Sequence, residues 1–146
     1  MTLQEFNEKL DVLKVKAGMR EDVFWPIVYD EDELGEILIR EDGQIWFADK
    51  HANWVESRMS VEDVTNIRYK RYETPNRSER NIFVNFTSGD FIKIHNWKKN
   101  SIVYTAVYMA KTEENAAFVD ELKTACECYD NNRGNTFYIT IRKTAK

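Results

Sequence analysis

Two segments of strict alternation, each interrupted by a glycine, constrain this chain more than any other feature. They are EILIREDGQIWFA, residues 36–48, and NIFVNFTSGDFIKIH, residues 81–95. Successive side chains of a strand point to opposite faces, so loop length decides which residues end up together. A three-residue loop Glu41-Asp42-Gly43, with a left-handed glycine last, places Ile37, Ile39, Ile45 and Phe47 on one face. Leu38, Arg40, Gln44 and Trp46 then share the other. A two-residue Asp-Gly turn would mix the two sets and leave neither face polar. The same loop at Thr87-Ser88-Gly89 gathers Ile82, Val84, Phe86, Ile92 and Ile94 opposite Phe83, Asn85, Phe91, Lys93 and His95. Both registers require positive φ at Gly43 and Gly89.

The remaining elements fit around these hairpins. Residues 2–17 read as an amphipathic helix with a Thr2/Glu5 capping box, apolar positions Leu3, Phe6, Leu10, Leu13 and Ala17, and a stop at Gly18. VFWPIVY (23–29) is extended, since Pro26 breaks a helix. The run Asp30-Glu31-Asp32-Glu33 lacks the ligand spacing and turn glycine of a calcium loop and reads as a solvated linker. Strands are predicted near Trp54–Met59, over TNIRYKRY (65–72) and over IVYTAVYM (102–109), with Ser60 capping one helical turn before the second of these. ETPNRSER (73–80) reads as a polar loop. Thr112 caps a helix over 113–129 whose apolar stripe is Phe118, Leu122, Ala125, Cys126 and Tyr129. After DNNRGN, a final strand is predicted at 136–142, with Phe137, Ile139 and Ile141 on one side.

At 146 residues the expectation is a single domain, 1–146, large enough for a core without disulfide or metal staples. The formal charge of −4, from 25 acids and 21 bases, argues against a general nucleic-acid binder, whose phosphate-neutralising surface makes it basic. No run of about 18 apolar residues suggests a membrane span, and the first residues lack the basic-then-apolar order of a secretory signal. Cys126 and Cys128 point about 200° apart on a helix, a poor geometry for a mutual disulfide. With no nearby histidine they make no zinc site either. A reduced, cytoplasmic chain is expected, with no metal and no cofactor.

Counted from Glu36, seven strands precede one amphipathic helix. The succession LGEILIREDGQIWFA, SVEDVTNIRYKRYE, IFVNFTSGDFIKIH is similar to the strand and turn order of the pleckstrin-homology-like superfamily, which includes GRAM-type and bacterial PH-like domains. The resemblance covers residues 34–129. It implies a mainly β, α+β fold: a seven-stranded antiparallel barrel or sandwich capped by a C-terminal helix. The helix of 1–18 and the strand of 136–142 are additions. This chain departs from the phosphoinositide-binding members in carrying acidic Glu41 and Asp42 where they carry lysine and arginine. It also lacks the tryptophan common in their C-terminal helix, where Phe118 stands instead.

No phosphate loop, nucleophile elbow or metalloprotease motif is present, so no catalytic residues are assigned and an enzyme is not expected. The only histidines, His51 and His95, each sit just before an Asn-Trp pair, in HANW (51–54) and HNWKK (95–99), and both segments read as loops after strands. They form either a shared rim of His51, Trp54, His95 and Trp97, or two unrelated loops whose tryptophans cap barrel ends. A second group, Arg68, Lys70 and Arg71, is either a charged edge strand that blocks edge-to-edge pairing or, with Lys93, Lys98 and Lys99, a basic patch. In the strand, Arg68, Lys70 and Tyr72 share one face and Ile67, Tyr69 and Arg71 the other.

The expected function is a non-enzymatic intracellular interaction module. It binds another protein through a basic and aromatic surface or a sheet edge, with Trp97, Lys98 and Lys99 as first contacts and Arg68, Lys70 and Arg71 as second. Peripheral binding to anionic lipid is the alternative. A small inhibitor or immunity-type protein is a special case of protein binding, and a second copy of the chain is also a candidate partner. Nucleic acid is not the expected partner.

Overall fold

The computed structural model describes residues 1–17, 26–29, 35–49, 51–99, 102–122 and 135–145. Helix α1 (Leu3–Ala17) starts on the predicted capping box: Glu5 N donates to Thr2 Oγ1 at 3.1 Å, and Thr2 N to Glu5 Oε1 at 3.3 Å. Strands β1 (Ile27–Val28), β2 (Ile37–Ile39), β3 (Gln44–Ala48) and β4 (Trp54–Ser60) form one sheet in that order, with β1 parallel to β2 and the rest antiparallel. A 3-10 turn (Val61–Asp63), capped by Ser60 Oγ, leads into the second sheet. That sheet is an antiparallel meander of β5 (Val64–Thr74), β6 (Arg77–Phe86), β7 (Phe91–Lys99), β8 (Ile102–Ala110) and β9 (Thr136–Ala145). Helix α2 (Glu113–Leu122) lies between β8 and β9, its first turn capped by Thr112 Oγ1, which accepts from Asn115 N at 3.1 Å.

Both glycine turns have the predicted geometry. Ile37 pairs with Phe47 and Ile39 with Ile45, while Val84 pairs with Ile92 and Asn85 with Phe91. Gly43 and Gly89 have φ of 86° and 89°. The faces sort as the registers require. Ile37, Ile39, Ile45, Phe47, Ile82, Val84, Phe86, Ile92 and Ile94 are all buried in one cluster with Phe6 and Leu10 of α1 and Val119 and Leu122 of α2. Phe118 of α2 meets Phe47 edge to face at 5.6 Å, which ties the helix to the first sheet. Close packing also fixes β1 against β2: a methyl group on Gly35 would come within 2.6 Å of Val28 Cγ1 and 2.9 Å of the Pro26 carbonyl.

The fold is thus mainly β, with two sheets and two helices. Three of the sequence readings need correction. Among the described residues the two sheets stay separate and do not close a seven-stranded barrel, because β4 and β5 join only through the 3-10 turn and are not paired. ETPNRSER is not a loop. Thr74 pairs with Arg77, so Pro75-Asn76 alone makes the turn and the rest is strand. Ion pairs hold this end together, Arg80 Nη1 lying 2.7 Å and Arg71 Nε 3.0 Å from Glu73 Oε1. His95, Asn96 and Trp97 likewise lie within β7, where Thr105 Oγ1 donates to the buried Asn96 Oδ1 at 2.8 Å. The predicted final strand pairs with β8 along its length and completes the second sheet. Residues 30–34 and 123–134 lie outside the described residues, and with them the acidic run, Cys126, Cys128 and the end of the predicted C-terminal helix.

Candidate functional site

The register of the five-stranded sheet assembles a surface that the sequence shows only in fragments. One face of the sheet is the core. On the other, cross-strand pairing builds three adjacent rows. Arg68, Phe83, Lys93, Tyr108 and Tyr138 make the first, Lys70, Asn81, His95 and Ala106 the second, and Tyr72, Glu79, Trp97 and Tyr104 the third. Arg77 follows Glu79 on the same face, two residues back along β6.

The rows are laminated. Trp97 stacks on Tyr104, with centroids 5.0 Å apart and planes 12° from parallel, and the His95 ring lies 4.7 Å from the Trp97 centroid, tilted by 35°. The Arg77 guanidinium sits 5.4 Å from the Trp97 centroid. Lys93 Nζ lies 5.7 Å from the Phe83 ring and 5.3 Å from the Tyr108 ring, an ammonium between two aromatic faces. Such packing fixes rotamers before any partner arrives, so less side-chain entropy is lost on binding. Tyr72, at 52% exposure, leaves its ring open to solvent. The face carries four cations, Arg68, Lys70, Arg77 and Lys93, against one carboxylate, Glu79, among its described side chains. The whole chain has a net charge of −4, so positive charge is concentrated here.

Glu79 is shared: Oε1 lies 2.9 Å from Arg77 Nε and 3.1 Å from His95 Nε2. Burial holds the His95 imidazole below its ordinary value of 6.5, outweighing the hydrogen bond to Glu79, which acts in the opposite direction. A histidine whose folded pKa is depressed supports the fold above its unfolded value, and that support is lost as pH falls through the folded value. Replacing His95 with glutamine should therefore flatten the acid side of the stability profile. Urea midpoints at about pH 7.5 and about pH 5 will differ less in the variant than in the native chain.

The predicted contact residues separate by strand parity. Arg68, Lys70, His95 and Trp97 lie together on this face. Arg71 and Lys98 lie on the opposite side of the same strands, Arg71 bonded to Glu73 and Lys98 paired with buried Val103. Lys99 ends β7 opposite Ile102. His51 and Trp54 belong to the other sheet. His51 is exposed in a turn where the Asp49 carboxylate accepts from the amides of His51 and Asn53 at 2.8 and 2.9 Å, and Trp54 opens β4 opposite Ala48. Trp54 and Trp97 therefore lie in different sheets. Tyr72, Glu79, Phe83, Tyr104 and Tyr108 were not singled out as contact residues, although the four-residue spacing of Tyr104 and Tyr108 already places both on one strand face.

No group of three histidine, cysteine, aspartate or glutamate side chains suited to hold a metal occurs among the described residues. No helix among them is long and apolar enough to cross a membrane. No protein-family model, curated protein or solved structure matches the chain.

Proposed function

We propose that this chain is a non-enzymatic interaction module that binds an acidic segment of another protein across the outer face of its five-stranded sheet. One observation carries the reading: the register gathers Arg68, Lys70, Arg77 and Lys93 with Tyr72, Trp97 and Tyr104 on one side of an otherwise acidic protein. Aromatic and arginine side chains dominate binding energy at protein interfaces, and a concentrated positive field steers an acidic partner to them. The fold is read as a pleckstrin-homology-like arrangement in which α1 and β9 are additions. The seven sequential strands β2–β8, spread over two sheets and followed by α2, support that reading.

The test is capture from nuclease-treated native lysate, comparing the native chain with a folded Arg68→Glu, Lys70→Glu, Trp97→Ala variant. An acidic protein bound by the first and lost with the second supports the proposal. Loss of anionic lipid instead would transfer the site to a membrane surface, and an unchanged set of partners would remove the face from consideration.

A further inference from the structure

The β6–β7 turn, β4, the 3-10 turn and the first turns of α2 enclose a groove of about 580 Å³, on the far side of the core from the aromatic face. That volume lies in the range of small-molecule and side-chain pockets. Its deep part is apolar, lined by Met59, Phe86, Met109 and Phe118, of which Met109 is fully buried and Phe118 half-buried. Its mouth carries Asp63, Asp90 and Glu114, with Arg58 the one cation along it among the described residues. Among the described residues no salt bridge joins any of these four to another group.

The walls are fixed by bonds that hold the carboxylate-bearing segments in place. Thr87 N donates to the Asp63 carbonyl at 2.9 Å, pinning the turn to the 3-10 segment. Asn115 Nδ2 donates to Asp90 Oδ1 at 3.0 Å and to the Ala110 carbonyl at 2.7 Å, and Phe91 N donates to Asp90 Oδ1 at 2.8 Å. Asp90 is thus partly buried and oriented by neutral donors, with no salt bridge to it among the described residues. Burial pushes its carboxyl above the ordinary aspartate value, and the Glu114 charge adds to this, against these hydrogen bonds and the Arg58 charge. A fixed carboxylate in an amphipathic groove is an electrostatic deficit that a bound cation would relieve.

We propose that this groove is a second binding site, which takes an arginine side chain of a partner polypeptide. Its guanidinium would face Asp63, Asp90 and Glu114, and its stem would lie along Met59, Met109 and Phe118. Arginine fits better than a compact ammonium or a metal ion. A planar guanidinium offers five donors to carboxylates spread around a mouth, stacks on an aromatic ring and is weakly hydrated. The described carboxylates do not converge as a metal requires. The flexible methionines can adapt to the stem. The charge complement is opposite to that of the aromatic sheet face, so this site does not rest on that reading.

The test uses the full chain, labelled with ¹⁵N, titrated with the pentapeptide acetyl-Ala-Leu-Arg-Leu-Ala-amide and with its citrulline counterpart, which keeps the shape and removes the charge. Saturable shifts at the Gly89, Asp90 and Asn115 amides are expected, with citrulline binding at least about tenfold weaker. Asp90→Asn with Glu114→Gln should reduce arginine-peptide affinity by a similar factor, whereas Arg68→Glu with Lys70→Glu should leave it unchanged. Asparagine at position 90 keeps the acceptor for Asn115. Because burial raises the Asp90 pKa, the variant should be no less stable at neutral pH, which a urea midpoint checks. Equal binding of the citrulline peptide, shifts confined to the sheet face, affinity unaffected by the groove variant, or no saturable shifts would each overturn the proposal.

Discussion

Phe47→Ala will lower the stability of this chain by about 3–5 kcal/mol, measured as the change in unfolding free energy from urea titration. Phe47 is fully buried, and its ring meets Phe118 of α2 edge to face. The residue also pairs with Ile37 in the first sheet, so truncation opens a cavity where sheet and helix join. Neither neighbour can collapse readily into the space, because one is held by a ladder and the other by its helix. Phe83 is the control. It has the same side chain in an equally regular strand but lies half-buried on the outer face of the second sheet, and Phe83→Ala should cost well under half as much. Equal losses at the two positions would mean that the assignment of inner and outer faces is wrong.

The second large effect concerns binding. The Arg68→Glu, Lys70→Glu, Trp97→Ala variant should bind the captured acidic partner at least about a hundredfold more weakly than the native chain. Loss of a buried aromatic anchor at an interface costs about 2 kcal/mol or more, and reversing two flanking charges turns attraction into repulsion. Trp97 also stacks on Tyr104 within the sheet, so circular dichroism and a urea midpoint must accompany the affinity. Arg68 and Lys70 are exposed and outside any salt bridge among the described residues. Their reversal alone therefore leaves the fold intact, and should still slow association by about tenfold at low salt, a difference that shrinks as salt rises.

What could be read from the sequence depended on where apolar residues advertise their periodicity. The two glycine hairpins were legible because a wrong register would have exposed Ile92 and Ile94 or buried Lys93, a large penalty with one low-energy solution. Helix caps at Thr2, Ser60 and Thr112 were legible for a similar reason, since each supplies an acceptor for amides that have no partner in the helix. The signal failed where strands continue past the core. Residues 77–80 and 95–97 pair through backbone bonds, ion pairs and aromatic lamination, and their polar composition imitates a loop. The same blindness affected the site. Arg68, Lys70, His95 and Trp97 were visible as residue types, but their union on one face depends on the register between β5, β6 and β7. The exclusion of Lys98 depends on strand parity across a segment that reads as a loop, whereas the alternation of the predicted strand 65–72 already sets Arg71 apart from Arg68 and Lys70. Tyr104 joins only through the pairing of β7 with β8.

Site-specific photo-crosslinking tests the central claim most directly. A benzophenone amino acid placed at Tyr72, which is 52% exposed on the aromatic face, is compared with one at Val15, 78% exposed on α1. After irradiation in cells, the account predicts an adduct to an acidic protein from position 72, abolished by Arg68→Glu with Lys70→Glu, and none of that partner from position 15. A partner captured equally from position 15, or an adduct at position 72 that proves to be nucleic acid or lipid, would contradict it.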